Sequence, residues 1–134
     1  MAPEIINYQP YDQRADNWSL GVLVYTLIGG YNPFVAYTDH LTWQNIRQAK
    51  YQFHPQYWDG ISRDAKSLIK GLLTRDPNQR LMVDQALSHP WMIGRGQDMM
   101  GNPINLKKLK EFNIERVRDS NVSSVSYFWL LTRR

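Results

Sequence analysis

The 134 residues contain no cysteine, 16 Lys/Arg and 12 Asp/Glu, which excludes disulfide scaffolds and thiol sites and bounds the chain at one domain or less. The +4 charge is uneven: residues 1–94 hold eight basic and eight acidic side chains, residues 95–134 eight basic and four acidic, a solvated-tail pattern rather than the basic, aromatic-lined face of a nucleic-acid binder. No charged-then-apolar leader opens the chain, and its longest apolar run, Leu20 to Ile28, falls far short of the ~20 residues that span a bilayer, so an intracellular, cytoplasmic protein is expected, the nucleus not being excluded.

In chain order, Asp16 to Ile28 reads as a helix apolar on nearly every side, the pattern of a fully buried element. Asp16 is a good N-cap type, and Gly29-Gly30 ends the helix where the chain must turn. Thr38-Asp39 caps a second helix running to Gln48, with Leu41, Ile46 and Ala49 facing inward. Ser62 caps a third, in which Ala65, Leu68, Ile69, Leu72 and Leu73 recur at helical spacing before Asp76-Pro77 stops it. A short helix over Val83 to Ser88 is closed by His89-Pro90. No stretch alternates cleanly enough for a strand, and no internal repeat is evident. The expected fold class is all-α.

Met1-Ala2-Pro3-Glu4, followed by Ile5 and Ile6, resembles the A-P-E end of the activation segment in eukaryotic protein kinases. Further motifs follow in order. Asp16-Asn17-Trp18-Ser19-Leu20-Gly21-Val22 resembles D-x-W-S-x-G-V, and Gly30-Tyr31-Asn32-Pro33-Phe34 resembles G-x-x-P-F. Asp76-Pro77-Asn78-Gln79-Arg80 resembles D-P-x-x-R, and Leu87-Ser88-His89-Pro90-Trp91 resembles L-x-H-P-W. The resemblance covers residues 1–92. Tyr51-Gln52-Phe53 and Tyr57 to Ser62 narrow it to the calcium/calmodulin-dependent group of serine/threonine kinases.

The resemblance implies a partial kinase C-lobe over residues 1–92, running from A-P-E to the end of the domain. It further implies that Glu4 and Arg80 form a buried ion pair, and that Asp16 occupies the position that anchors the catalytic loop. Phosphoryl transfer needs a glycine-rich cover, a phosphate-gripping lysine, a catalytic aspartate and magnesium ligands. None of these motifs stands in the 134 residues. No catalytic, cofactor-binding or metal-binding residue is therefore assigned, ATP and Mg belonging to the full-length family alone. The expected function is that of a serine/threonine kinase fragment without phosphotransfer of its own. The alternative is a non-catalytic binding module or decoy, with the 38–48 helix as its docking surface for protein substrates or docking proteins. Met1 coincides with a residue that often precedes A-P-E in intact relatives, and is read as an internal methionine standing as a start.

Two departures from the family pattern predict small penalties. Met82 stands where a capping Thr or Ser is usual, a loss of roughly 1 kcal/mol, and Ala49 stands where a glycine usually ends the second helix. Residues 93–134 are expected to be a flexible basic extension, helical around 104–118 and otherwise disordered. Leu106, Leu109, Phe112 and Val117 lie on one side of a basic amphipathic stretch, which makes them candidate calmodulin contacts within a 104–122 target segment. Glu111, Glu115 and Asp119 dilute its charge. Beyond Arg118 the family likeness stops, and Tyr127-Phe128-Trp129-Leu130-Leu131 is abruptly apolar.

Overall fold

Six helices follow one another, with no strand between them, among residues 1–10 and 12–93, which this computed structural model describes. They are α1 (Pro3–Ile6), α2 (Arg14–Gly29), α3 (Asp39–Gln48), α4 (Pro55–Trp58), α5 (Arg63–Leu72) and α6 (Val83–Leu87). The helix expected around 104–118 and the candidate calmodulin contacts lie outside the described residues.

The central element is α2, which packs along α5. Its start differs from the sequence expectation. Asp16 is not the cap but a residue of the first helical turn, the N-cap position being Gln13. Asp12 does the capping chemistry instead: its Oδ1 accepts from the Arg14 N–H at 2.8 Å, satisfying one of the orphan donors every helix start leaves. Both carboxylates suit the role, and their spacing alone does not choose between them. The helix ends as expected on Gly30, which takes the left-handed conformation at φ 85°.

Two α2 glycines exist for close approach. A Cβ on Gly21 would lie 2.8 Å from Leu72 Cβ on α5, and one on Gly29 would lie 2.7 Å from the Trp58 ring. Around these contacts Trp18, Tyr25, Phe34, Trp58, Ile69 and Leu73 form one buried cluster. The helix is not buried all round, however. Asp16, Ser19, Leu20 and Leu23 are exposed, and their i, i+3, i+4, i+7 spacing makes them a single open stripe.

In α3 the cap is as expected, Thr38 Oγ1 accepting from the Leu41 N–H at 3.2 Å. The inward register is partly corrected. Leu41 is exposed, and the buried position is Thr42, one residue further round. Its hydroxyl donates to the Thr38 carbonyl and accepts from the Ala36 N–H, so a polar side chain seals the turn into the helix. Ile46 and Ala49 do pack against the main cluster.

Ala49 ends α3 at φ 50°, ψ 39°, a left-handed conformation that strains any residue with a Cβ by roughly 1–2 kcal/mol. Replacing Ala49 with glycine removes that strain and adds backbone freedom to the unfolded chain, the smaller effect. The Ala49→Gly protein is expected to unfold at higher urea, with a net gain below about 1 kcal/mol.

Ser62 caps α5 by accepting from the Ala65 N–H at 3.1 Å, and Ala65, Leu68, Ile69, Leu72 and Leu73 are all buried. Leu68 and Leu72 join Ala86 of α6 in a second cluster, with Leu81 and Trp91 against it. Met82 makes no side-chain cap on α6. Gln85 Oε1 accepts from its backbone N–H at 2.9 Å, while its sulfur receives the buried Asn17 amide at 3.7 Å. Methionine thus trades a cap for a contact with α2.

Candidate functional site

Arg80 sits in the loop before α6 with its side chain removed from solvent, and Glu4 lies equally buried on α1. A guanidinium has five N–H donors in a rigid plane, and here all five are used. Nη1 donates to Glu4 Oε1 at 2.7 Å and Nη2 to Glu4 Oε2 at 2.9 Å, a bidentate fork. The second Nη1 proton goes to the Arg14 carbonyl at 2.7 Å, the second Nη2 proton to the Arg75 carbonyl at 3.3 Å, and Nε–H to the Thr74 carbonyl at 3.0 Å. No buried side-chain nitrogen or oxygen among the described residues lacks a partner.

The Cζ of the same guanidinium lies over the Trp18 ring, 5.1 Å from its centroid, within cation–π range. Trp18 in turn stacks on Phe34, with centroids 5.2 Å apart and planes 13° from parallel. One side chain therefore gathers three segments separated by up to 76 positions, the start of α1, the first half of α2 and the loop after α5, and Trp18 adds the turn after α2 through Phe34. Burial by itself pushes the Glu4 carboxyl up, but the hydrogen bonds and charge of Arg80 outweigh it. Its pKa is held below the ordinary value of 4.5. The pair is ionised and fully hydrogen-bonded, the condition under which a buried ion pair is tolerated.

Asp16 stands apart from this network. It is exposed on α2, and its carboxylate makes no hydrogen bond or ion pair among the described residues. The outer face of α3 presents His40, Leu41, Gln44 and Arg47, all exposed, and Tyr37 leads into it fully open to solvent. The four candidate calmodulin contacts, Leu106, Leu109, Phe112 and Val117, lie outside the described residues.

A second polar chain runs through the aromatic cluster, and no motif in the sequence signals it. Trp58 Nε1 donates to the Tyr31 hydroxyl at 3.1 Å, and the Tyr31 and Tyr25 hydroxyls are 2.6 Å apart. Tyr25 also reaches the Gln52 carbonyl at 2.6 Å. That carbonyl only accepts, so the single Tyr25 proton goes there and Tyr31 donates to Tyr25. Burial pushes the Tyr25 phenol far above its usual range and Tyr51 up to about 12, so both are neutral struts and not proton-transfer groups. Among the described residues no group of three or more His, Cys, Asp or Glu is placed to hold a metal, and no helix is long and apolar enough to cross a membrane.

Comparison with known proteins adds to this geometry. The model of the protein kinase domain matches residues 1–92. Myosin light chain kinase A of Dictyostelium discoideum is 40% identical over 116 residues, which cover 87% of this chain and 38% of that protein. Among solved structures, the C. elegans twitchin kinase region superposes with a TM-score of 0.72 at 32% identity, over 85% of this chain and 20% of that one. The autoinhibited serine kinase domain of titin does so with a TM-score of 0.77 at 30% identity, over 89% of this chain and 37% of that one. The chain thus spans well under half the length of each of these relatives.

Proposed function

This chain belongs to the protein kinase family, and from that premise we propose that its described residues are the scaffold half of a C-lobe. The protein that carries them transfers phosphate from ATP to serine or threonine hydroxyls with magnesium, and residues 1–92 hold its lobe together. The observation that carries this reading is the Arg80 node. The A-P-E, D-x-W-S and D-P-x-x-R segments meet on one guanidinium, and G-x-x-P-F joins them through the Trp18–Phe34 stack; a fully saturated buried arginine fixes the first three in one arrangement. Glu4 and Arg80 act as a structural clamp that touches no reacting atom.

Asp16 is the position that orders the catalytic loop. Its exposed carboxylate, without a partner among the described residues, supports that role. The glycine-rich loop, the lysine, H-R-D and D-F-G are not written in the 134 residues, so this polypeptide by itself binds no ATP and transfers no phosphate. The exposed face of α3 serves as the docking surface for protein substrates or docking proteins. The 104–122 segment is a calmodulin target within the same regulatory group. The protein works inside the cell, in the cytoplasm.

The test is phosphotransfer with radiolabelled ATP and Mg on a generic protein substrate. The 134-residue chain is expected to incorporate no label above a no-enzyme control. The same chain joined to an upstream segment bearing the glycine-rich loop, the lysine, H-R-D and D-F-G is expected to be active. Label transfer by the 134-residue chain alone contradicts the scaffold reading.

A further inference from the structure

One methionine of the fold is held by a buried amide. Asn17, 2% exposed on α2, aims its side-chain nitrogen at the Met82 sulfur, 3.7 Å away. Gln85 Oε1 accepts from the Met82 backbone N–H at 2.9 Å, so the residue is fixed at both ends. Met82 is only half-buried, within reach of a small solute. A thioether is a weak acceptor for an amide that has left water, whereas a sulfoxide oxygen is a strong one. We propose that Met82 is a site of reversible oxidation by hydrogen peroxide, whose sulfoxide oxygen takes the Asn17 amide hydrogen bond and tightens the fold. This goes beyond the kinase reading and stands independently of it.

In the step, a sulfur lone pair attacks one peroxide oxygen, an S–O bond forms and the O–O bond breaks. Sulfur gives up two electrons, and the other peroxide oxygen leaves as water after taking the proton of the transferred one. Methionine sulfoxide reductases reverse the change. The site receives the product without rearrangement. An S–O bond of about 1.5 Å and an N–H···O bond of about 2.9 Å, meeting at about 110°, span about 3.7 Å. That is the sulfur–nitrogen separation already present. Sulfoxidation usually disrupts a core because the new oxygen is buried without a donor. Here the donor is in place, and it ties α2 to the chain two residues beyond Arg80. Among the described residues no other methionine sulfur receives a hydrogen bond. Met1 and Met92, 49% and 45% exposed, therefore serve as internal references for oxidation without this contact.

The test treats the full chain with dilute hydrogen peroxide and maps each methionine by peptide mass spectrometry. Met82 is expected to gain one oxygen at a rate within about tenfold of that of Met92. One Asn17 side-chain amide proton should then move downfield in the NMR spectrum. The change in urea midpoint on treatment should be about 0.5 M more positive in the parent than in the equally treated Met82→Leu protein. In that variant the Asn17 amide should not respond, although Met1 and Met92 still oxidise. Met82 left intact after Met92 has fully reacted would overturn the proposal. So would an unmoved Asn17 amide, or a midpoint change in the parent equal to or below that of Met82→Leu. An untreated chain whose Asn17 amide exchanges freely with solvent also overturns it, because the site needs that donor buried.

Discussion

The Arg80→Met protein is expected to lose about 3–5 kcal/mol, the usual result of removing one partner from a buried ion pair. The substitution strands the Glu4 carboxylate, 3% exposed, and leaves the Thr74, Arg14 and Arg75 carbonyls without the donor they share. It also removes the cation from over the Trp18 ring. Domains of this size have only about 5–15 kcal/mol to lose, so the urea midpoint should fall steeply or the transition should disappear. A second variant separates the charge from the packing. In Glu4→Leu/Arg80→Met both charges leave together, and that protein should be more stable than Arg80→Met alone. Equal stability of the single and double variants would mean that the ion pair carries none of the effect. An Arg80→Met midpoint equal to that of the parent would mean that the node is not the tie between the three segments.

Trp58 is the second sensitive position. It is fully buried, packs on Tyr25 and Phe53 at 4.6 and 4.7 Å between centroids, and covers Gly29 so closely that no Cβ fits between them. Trp58→Ala leaves a cavity under the end of α2 and is expected to cost about 3–5 kcal/mol. Trp58→Phe keeps most of the volume but removes the Nε1 donor to Tyr31, an expected loss of about 1 kcal/mol. The ratio of the two is the informative quantity, measured by urea unfolding. Comparable losses would make the Trp58–Tyr31–Tyr25–Gln52 chain the main contribution of this residue. A large excess for alanine would make it packing.

The two losses act at opposite ends of α2. Arg80 fixes its start against α1 and the loop after α5, and Trp58 fixes its end against the 51–58 segment. Between them Gly21 lets α2 lie directly on Leu72 and Leu73. The helix is held at three points on one side and leaves Asp16, Ser19, Leu20 and Leu23 open on the other.

How much of this is legible in the sequence follows from the physics of each signal. Glu4 and Arg80 are readable because both lie inside motifs, yet three of the five acceptors of Arg80 are backbone carbonyls, which carry no residue identity. The partners Trp18 and Phe34 are visible as motif residues, but their stacking beside the same guanidinium is a tertiary fact. The α5 face is legible throughout because its apolar spacing is regular and Ser62 is the natural cap. Asp12 and Asp16 are chemically the same cap, and only the true start at Arg14 selects the former. Hydrophobicity places Leu41 inward, whereas Thr42 takes that position because its hydroxyl satisfies two backbone groups at the turn. Helices α1 and α4, four residues each and both opened by proline, are too short for periodicity to register.

The most direct measurement of the central claim is the titration of Glu4 itself, followed through its carboxyl carbon by NMR. A carboxyl held below the ordinary 4.5 by a buried guanidinium contributes stability that is complete above the unfolded value. That stability is lost as the pH falls through the folded value. The account predicts a Glu4 midpoint below 4.5, with the Arg80 Nη protons slow to exchange until the carboxylate protonates. A midpoint at or above 4.5, with freely exchanging Arg80 protons at neutral pH, would contradict the clamp and with it the scaffold role.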